Sequence, residues 1–335
     1  MRVVIHALRP RPAALFVVVA AAAAALSGCG SSNEADAGKP VVAATAPQID
    51  GLVRELAGPG VNVAAVVAAT ADVHELELRP SQVRALQDAQ LILRPGRGND
   101  AWAQEALDRV DATQVDVSEG LAGDERHWWM DPSLAEAAAT TVARELDALD
   151  PGGKAARAEA LRGVVAELRE VDAETKRCLA TIPAADRVIV TDHDAAGAYA
   201  SRYGLTVAGT ISPGADPEAA PSAQRVVDLV ETMKTRGVKA VFPIAPHGSE
   251  LAKTVAQRGG AVLGEPLWAD ALPGATHDYE GDSHQGESAE EHDAHAADDA
   301  HAEAEPTLAA AAHLNGEAVA EALGARPAAC GHLLG

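Results

Sequence analysis

From Val41 onward, short runs of β-branched and aliphatic residues alternate with stretches whose apolar positions recur at helical spacing. Strands are predicted at 41–45, 61–67, 91–93 and 113–117, and helices near 49–56, 81–88 and 100–110. This alternation predicts a parallel sheet with crossover helices. A helix predicted over 132–149 stops at Asp150-Pro151-Gly152-Gly153. The next stretch, 154–182, has no proline, and its apolar residues (Leu161, Val164, Val165, Leu168, Val171, Cys178, Leu179, Ile182) form one helical stripe. At about 1.5 Å per residue such a helix spans roughly 42 Å. The alternation then restarts, with strands at 188–191, 206–211, 238–242 and 261–267 and helices at 194–203, 223–236 and 249–258. A last helix is predicted over 307–323. The fold class is therefore α/β: two α/β lobes with parallel sheets joined by one long rigid helix. Ligands of open α/β sheets sit beyond the carboxyl ends of the strands, so the expected site lies between the lobes.

The N-terminus changes the picture of where this fold resides. Arg2, Arg9 and Arg11 precede an uncharged run at 13–26, too short to span a bilayer, which takes about 20 residues. Leu26-Ser27-Gly28-Cys29 looks like the lipobox of bacterial lipoproteins, in which the cysteine is lipidated and becomes the first mature residue. Two acyl chains on one cysteine suffice for stable anchoring. Residues 1–28 are thus expected to be a lipoprotein signal peptide and 29–39 a flexible tether. Residues 40–150 would form the N-terminal lobe, 151–183 the linking helix and 184–335 the C-terminal lobe. The expected location is the extracytoplasmic face of the cell membrane.

The formal charge is −22, and removing residues 1–28 takes away three arginines and no acid, leaving about −25. So negative a surface repels nucleic acid and anionic lipid and attracts cations. Aromatics make up 3% of the chain, so both cores must be built from Ala, Val and Leu. Two cysteines, Cys178 and Cys330, remain in a compartment where disulfides persist. A bridge between them is expected, tying the linking helix to the C-terminus; two buried thiols are the alternative.

Three histidines share a context. His74 follows the second predicted strand, His127 the fourth, and His193 the first strand of the second lobe. Each lies at a site-forming edge rather than in a helix stripe. Three imidazoles plus a carboxylate make a fitting ligand set for Zn²⁺.

At these residues the chain resembles the zinc and manganese solute-binding proteins of bacterial ABC importers. Asp72-Val73-His74-Glu75-Leu76-Glu77, with Pro80, Ser81 and Val83, is similar to the family's D-P-H-x-F-E-P-x-P-S-x-V segment. His127-Trp128-Trp129-Met130-Asp131-Pro132 resembles H-x-W-x-D-P, and His193-Asp194-Ala195 with Gly197 and Arg202-Tyr203-Gly204-Leu205 resembles H-D-A-x-G…R-Y-G-L. Leu267-Trp268-Ala269-Asp270-Ala271-Leu272 is similar to the late L-x-x-D-x-L segment. The resemblance implies His74, His127, His193 and Asp270 as metal ligands, with Glu265 or water as rivals for the fourth place. Histidine rather than glutamate at 193 implies zinc as the transported ion. It also implies a monomer that hands its ion to the permease of a zinc importer. Departures are Val73, Leu76 and Leu78 for proline, phenylalanine and proline, and Pro243-Ile244 after Phe242 where the family often has a glutamate; His247 is read as a surface histidine opening a helix, with compensation for that glutamate as the alternative. Asp131 is expected to cap the helix that Pro132 opens. Asp194 is expected to cap its own helix and steer His193.

A second signal lies at 277–305, where His277, His284, His292, His295 and His301 stand among acids with no lysine or arginine. Lacking apolar periodicity, the segment is expected to be disordered. Its composition makes it a candidate auxiliary, low-affinity metal binder; an acidic loop with incidental histidines is the alternative. The leading functional reading is a metal-binding module without catalysis. The alternatives are a manganese- or iron-binding member of the same family, a zinc-stabilised structural or adhesive surface protein, and a secreted zinc hydrolase. Against the hydrolase, the chain lacks an H-E-x-x-H helix, and four protein ligands close the position a catalytic water needs.

Overall fold

The computed structural model describes residues 38–71, 73–74, 76–213, 221–246, 250–274 and 306–334. The first lobe is built on β1 (Val41–Ala44), β2 (Asn62–Ala64), β3 (Leu91–Arg94) and β4 (Thr113–Asp116), all parallel, in the order β2-β1-β3-β4. Between them run α1 (Pro47–Ala57), α2 (Pro80–Asp88) and the single turn α3 (Gln104–Leu107). Next come α4 (Pro132–Leu149) and the long α5 (Lys154–Leu179), packed on each other. The second lobe contains β5 (Val188–Thr191), α6 (Gly197–Tyr203), β6 (Thr206–Thr210), α7 (Ala223–Arg236), β7 (Ala240–Phe242), β8 (Ile244–Ala245), α8 (Glu250–Gly259), β9 (Val262–Leu263), β10 (Leu267–Trp268) and α9 (Leu308–Ala322). Its main sheet is also parallel, ordered β6-β5-β7-β9. Each lobe thus repeats one topology: second strand, first, third, fourth.

The strands alternate between two cores, as the period of two requires. In β1, Val42 and Ala44 join the main core and Ala43 the outer core of the first lobe; in β7, Ala240 and Phe242 join the main core and Val241 the outer core of the second. The main core is continuous across both lobes because α4, α5 and α9 lie against the inner faces. Alanines make this close approach feasible: Ala135, Ala138, Ala139, Val142 and Leu146 form the buried stripe of α4. Asp131 caps α4, accepting from the Ser133 N–H at 2.8 Å, and Pro132 occupies the first turn. At the other end of the spine, the buried Arg157 of α5 donates to the carbonyls of Leu56 and Ala57 that close α1. It also pairs with Asp147 and Asp150. A charge this deeply placed is tolerated because its donors are matched.

The α/β architecture predicted from periodicity is the one observed, with local differences. The predicted strand 61–67 pairs only over Asn62–Ala64, since the chain must leave the edge for the His74 loop. The predicted helix 100–110 is a 3₁₀ turn at Ala101–Ala103 followed by α3. The predicted strand 261–267 is two strands. Pro266, which lacks an N–H, ends pairing in the main sheet; β9 stays there as the edge, while β10 pairs with β8 in a separate two-stranded sheet. Among the described residues no helix is long and apolar enough to cross a membrane.

Cys178, near the end of α5, and Cys330 form a disulfide across 152 residues of chain. Both are fully buried in the main core. In the loop-entropy picture so long a loop constrains the unfolded chain strongly, by up to about 5 kcal/mol. Cys178→Ser with Cys330→Ser is expected to lower unfolding stability by about 2–5 kcal/mol, read as a fall in the urea midpoint. An unchanged midpoint would show that the bridge contributes nothing to stability.

Candidate metal centre

Four chain segments deliver four side chains to the junction of the lobes. His74 lies in the loop between β2 and α2. That loop is held at its start by the Gln82 amide donating to the Val66 carbonyl (2.7 Å) and pinned by Val73, which is 8% exposed. His127 follows β4 and opens a 3₁₀ turn, Trp128–Met130. Trp128 anchors this turn by donating from Nε1 to the Pro95 carbonyl at 2.9 Å, and Trp129 stands edge-on to the His127 ring at 5.4 Å. His193 directly follows the carboxyl end of β5, where the Thr191 hydroxyl donates to its carbonyl at 2.7 Å. Asp270 follows β10.

These four residues each present one ligand atom, all within 4.8 Å of one another. From the Asp270 carboxylate, His127 Nε2 and His193 Nε2 are each 3.0 Å away and His74 Nε2 is 3.6 Å away. A tetrahedral zinc with bonds of about 2.0–2.1 Å separates its ligand atoms by about 3.3 Å, and the three distances to Asp270 bracket that spacing. His127, His193 and Asp270 are 4% exposed or less, while His74 retains partial access to solvent. Although His193 Nε2 and Asp270 Oδ1 are buried and close to opposite partners, neither makes an aligned hydrogen bond. The donor set and its spacing therefore fit a divalent cation with a preference for nitrogen.

The carboxylate that steers His193 is Asp192, not Asp194. Asp192 Oδ1 lies 3.0 Å from His193 Nδ1 and accepts the His193 backbone N–H at 2.7 Å; its Oδ2 accepts the Ile244 N–H at 2.9 Å. Holding a proton on Nδ1 leaves Nε2 to face the cluster, the usual arrangement of an outer carboxylate behind a ligating imidazole. Asp194 is exposed, and α6 begins only at Gly197 with Ala196 at its cap position, so Asp194 caps nothing. A signal for Asp192 existed in the sequence: an acid immediately before a strand-end histidine. Glu265 is exposed and stands outside the cluster. His247, His277, His284, His292, His295, His301 and Cys29 lie outside the described residues.

Burial opposes charging His193, yet the Asp192 and Asp270 carboxylates outweigh it and push its pKa up to about 10. Burial alone would raise Asp270, but contact with His127, His193 and His74 holds it well below the usual carboxylate range. Asp270 is thus ionised at neutral pH and His193 carries a proton that a metal ion must displace.

Two parallel sheets of matching strand order with one long helix between them make the fold of the metal-binding solute-binding proteins that serve ABC importers, and the nitrogen-rich cluster lies at the junction of the lobes. The chain belongs to the zinc-uptake complex component A (periplasmic) family, whose model matches residues 41–284. The high-affinity zinc uptake system protein ZnuA of Paracoccus denitrificans is 26% identical over 315 residues, covering 79% of this chain and 93% of its own. The manganese ABC transporter substrate-binding lipoprotein PsaA of Streptococcus mitis is also 26% identical, over 289 residues, covering 81% and 92%. In fold, the chain is similar to the solved periplasmic zinc-binding protein TroA of Treponema pallidum, with a TM-score of 0.69 at 23% identity over 85% of this chain and 99% of that one.

Only neutral imidazole coordinates a metal. With His193 protonated up to about pH 10 in the metal-free protein, uptake at pH 7 is expected to release about one proton from this residue. Affinity should accordingly fall as pH falls. Titration calorimetry in buffers of different ionisation enthalpy measures the count. If His193→Ala releases as many protons as the parent, His193 is not the group displaced.

Proposed function

We propose that this protein captures Zn²⁺ outside the cytoplasm and delivers it to the permease of an ABC importer, without catalysing a reaction. The observation that carries this reading is the convergence of three imidazoles with one carboxylate in a buried site between lobes. Three neutral imidazoles and Asp270 around Zn²⁺ leave a net charge of +1, and the Asp192 carboxylate behind His193 offsets it. Such a set suits Zn²⁺ better than Mn²⁺, which favours oxygen ligands and higher coordination. Relatives named for zinc, manganese and iron all match the chain, so the ligand chemistry rather than overall likeness supports zinc. Four protein ligands also leave no open position for a hydrolytic water, which argues against a zinc hydrolase.

In the same reading, residues 1–28 are removed on export and Cys29 carries the lipid that anchors a monomer, through the tether 29–39, to the outer face of the cell membrane. A lipoprotein relative such as PsaA of Streptococcus mitis supports this. The histidines of 277–305 serve as an auxiliary, weak collector of zinc.

Competition between zinc and manganese tests the ion. The parent is expected to prefer zinc; His193→Glu, which exchanges a nitrogen for a hard anionic ligand, should lose zinc affinity and gain manganese relative to it. His193→Ala should weaken zinc without helping manganese. A parent that prefers manganese, or a His193→Ala protein that binds zinc as tightly as the parent, would defeat the proposal. Deleting 277–305 is expected to leave the tight binding event unchanged in calorimetry and to abolish only weaker ones. Loss of the tight event would put a principal ligand inside that segment.

A further inference from the structure

We infer that Gln48, together with Trp129, is a positioning residue for Asp270; the inference rests on the metal-site reading of the four-residue cluster. The chain that carries Asp270 changes partners within a few residues. Leu267 and Trp268 belong to the second lobe: they pair with Ile244 and Ala245 of β8, and Trp268 exchanges hydrogen bonds through its N–H and carbonyl with the Asn315 side chain of α9. Immediately afterwards the chain is held by the first lobe. The Ala269 carbonyl accepts the Gln48 side-chain amide of α1 at 2.8 Å and the Trp129 indole N–H at 2.7 Å. Leu272 donates its N–H to the Ala69 carbonyl at 2.7 Å, in the loop that leads to His74.

The two donors occupy both lone pairs of one carbonyl. Gln48 is 1% exposed and Trp129 5% exposed. Burying an amide is unfavourable unless it is hydrogen-bonded, so Gln48 on the core side of α1 requires this partner. The peptide it grips joins Ala269 to Asp270. Fixing that peptide from two directions sets the backbone from which the Asp270 carboxylate reaches the three imidazoles. Trp129 comes from the same 3₁₀ turn as His127, so the turn that supplies one candidate ligand also aligns another. Although Asp270 lies far along the chain, this clamp holds it to the lobe that carries His74 and His127.

The test is a double-mutant cycle on zinc affinity. Gln48→Met keeps length and volume but removes the donor; it is expected to weaken zinc about 10–100-fold, the usual effect of losing a partner behind a ligand. In an Asp270→Ala background the same change should have no further effect, because the residue it positions is gone. With Co²⁺ as the probe, the visible spectrum of Gln48→Met should move toward that of Asp270→Ala. Should Gln48→Met fail to fold, Trp129→Phe, which keeps a ring beside His127 and removes the N–H, runs the same cycle. Parent-like affinity of a folded donor-less variant, or a loss that simply adds to that of Asp270→Ala, would overturn the inference. If Asp270→Ala itself binds zinc like the parent, the metal-site reading has failed instead.

Discussion

Withdrawing a carboxylate from water costs several kcal/mol unless opposite charge or aligned donors compensate it, and Asp270 is nearly inaccessible at the junction of two lobes. Three imidazoles face it, one from each of three further chain segments. The carboxylate thus forces the surrounding loops to stay in register. Each histidine must hold its place for Asp270 to be tolerated, and each is fixed by different means. His127 is locked by two tryptophans, His193 by Asp192 and the end of β5, and His74 by its own loop. Because the same groups are candidate ligands of a type suited to a divalent cation, the electrostatic constraint and the proposed binding chemistry coincide.

The scaffold is suited to delivering side chains to one place. Parallel strands point all their carboxyl ends one way. Repeating the same strand order in both lobes lets two such edges meet. The α4–α5 spine with α9 continues the core from one sheet to the other, and its alanine-rich contacts bring helices and sheets close without large side chains. Arg157 and the Cys178–Cys330 bridge fasten opposite ends of α5. Arg202 of α6 adds a polar tie near the site, pairing with Asp172 of α5 at 2.7 Å and with Asp131 at the start of α4 at 3.4 Å.

Much of this was legible without coordinates. Helix and strand order follows from apolar periodicity, which local sterics and burial impose directly. His193 was visible as a strand-end histidine because β5 and its end are visible, and the Asp131-Pro132 helix start because capping is local; His74 and His127 instead lie in loops well beyond the ends of β2 and β4. Errors cluster where the outcome is set by competition between distant partners. Pro266 marks a break in a run of strand-forming residues, but pairing of the second half with β8 depends on where Ile244 lies. Asp194 was expected to cap a helix starting at 194, but α6 begins only at Gly197, and it is Asp192 that reaches His193 Nδ1. A Cβ at Gly197 would overlap the Glu125 carboxylate, a first-lobe group that no local reading could bring there.

The sequence by itself determined the α/β class, the long joining helix and the charge, since each depends on composition or on neighbours a few positions apart. The grouping of His74, His127, His193 and Asp270 was implied by the family resemblance and is realised only by the packing of the lobes; tertiary structure alone decided that Asp192 rather than Asp194 backs His193 and that Gln48 reaches the carbonyl of Ala269. These contacts join segments up to 221 residues apart. Their geometry arises from the packing of two lobes on a shared core, which no local pattern encodes.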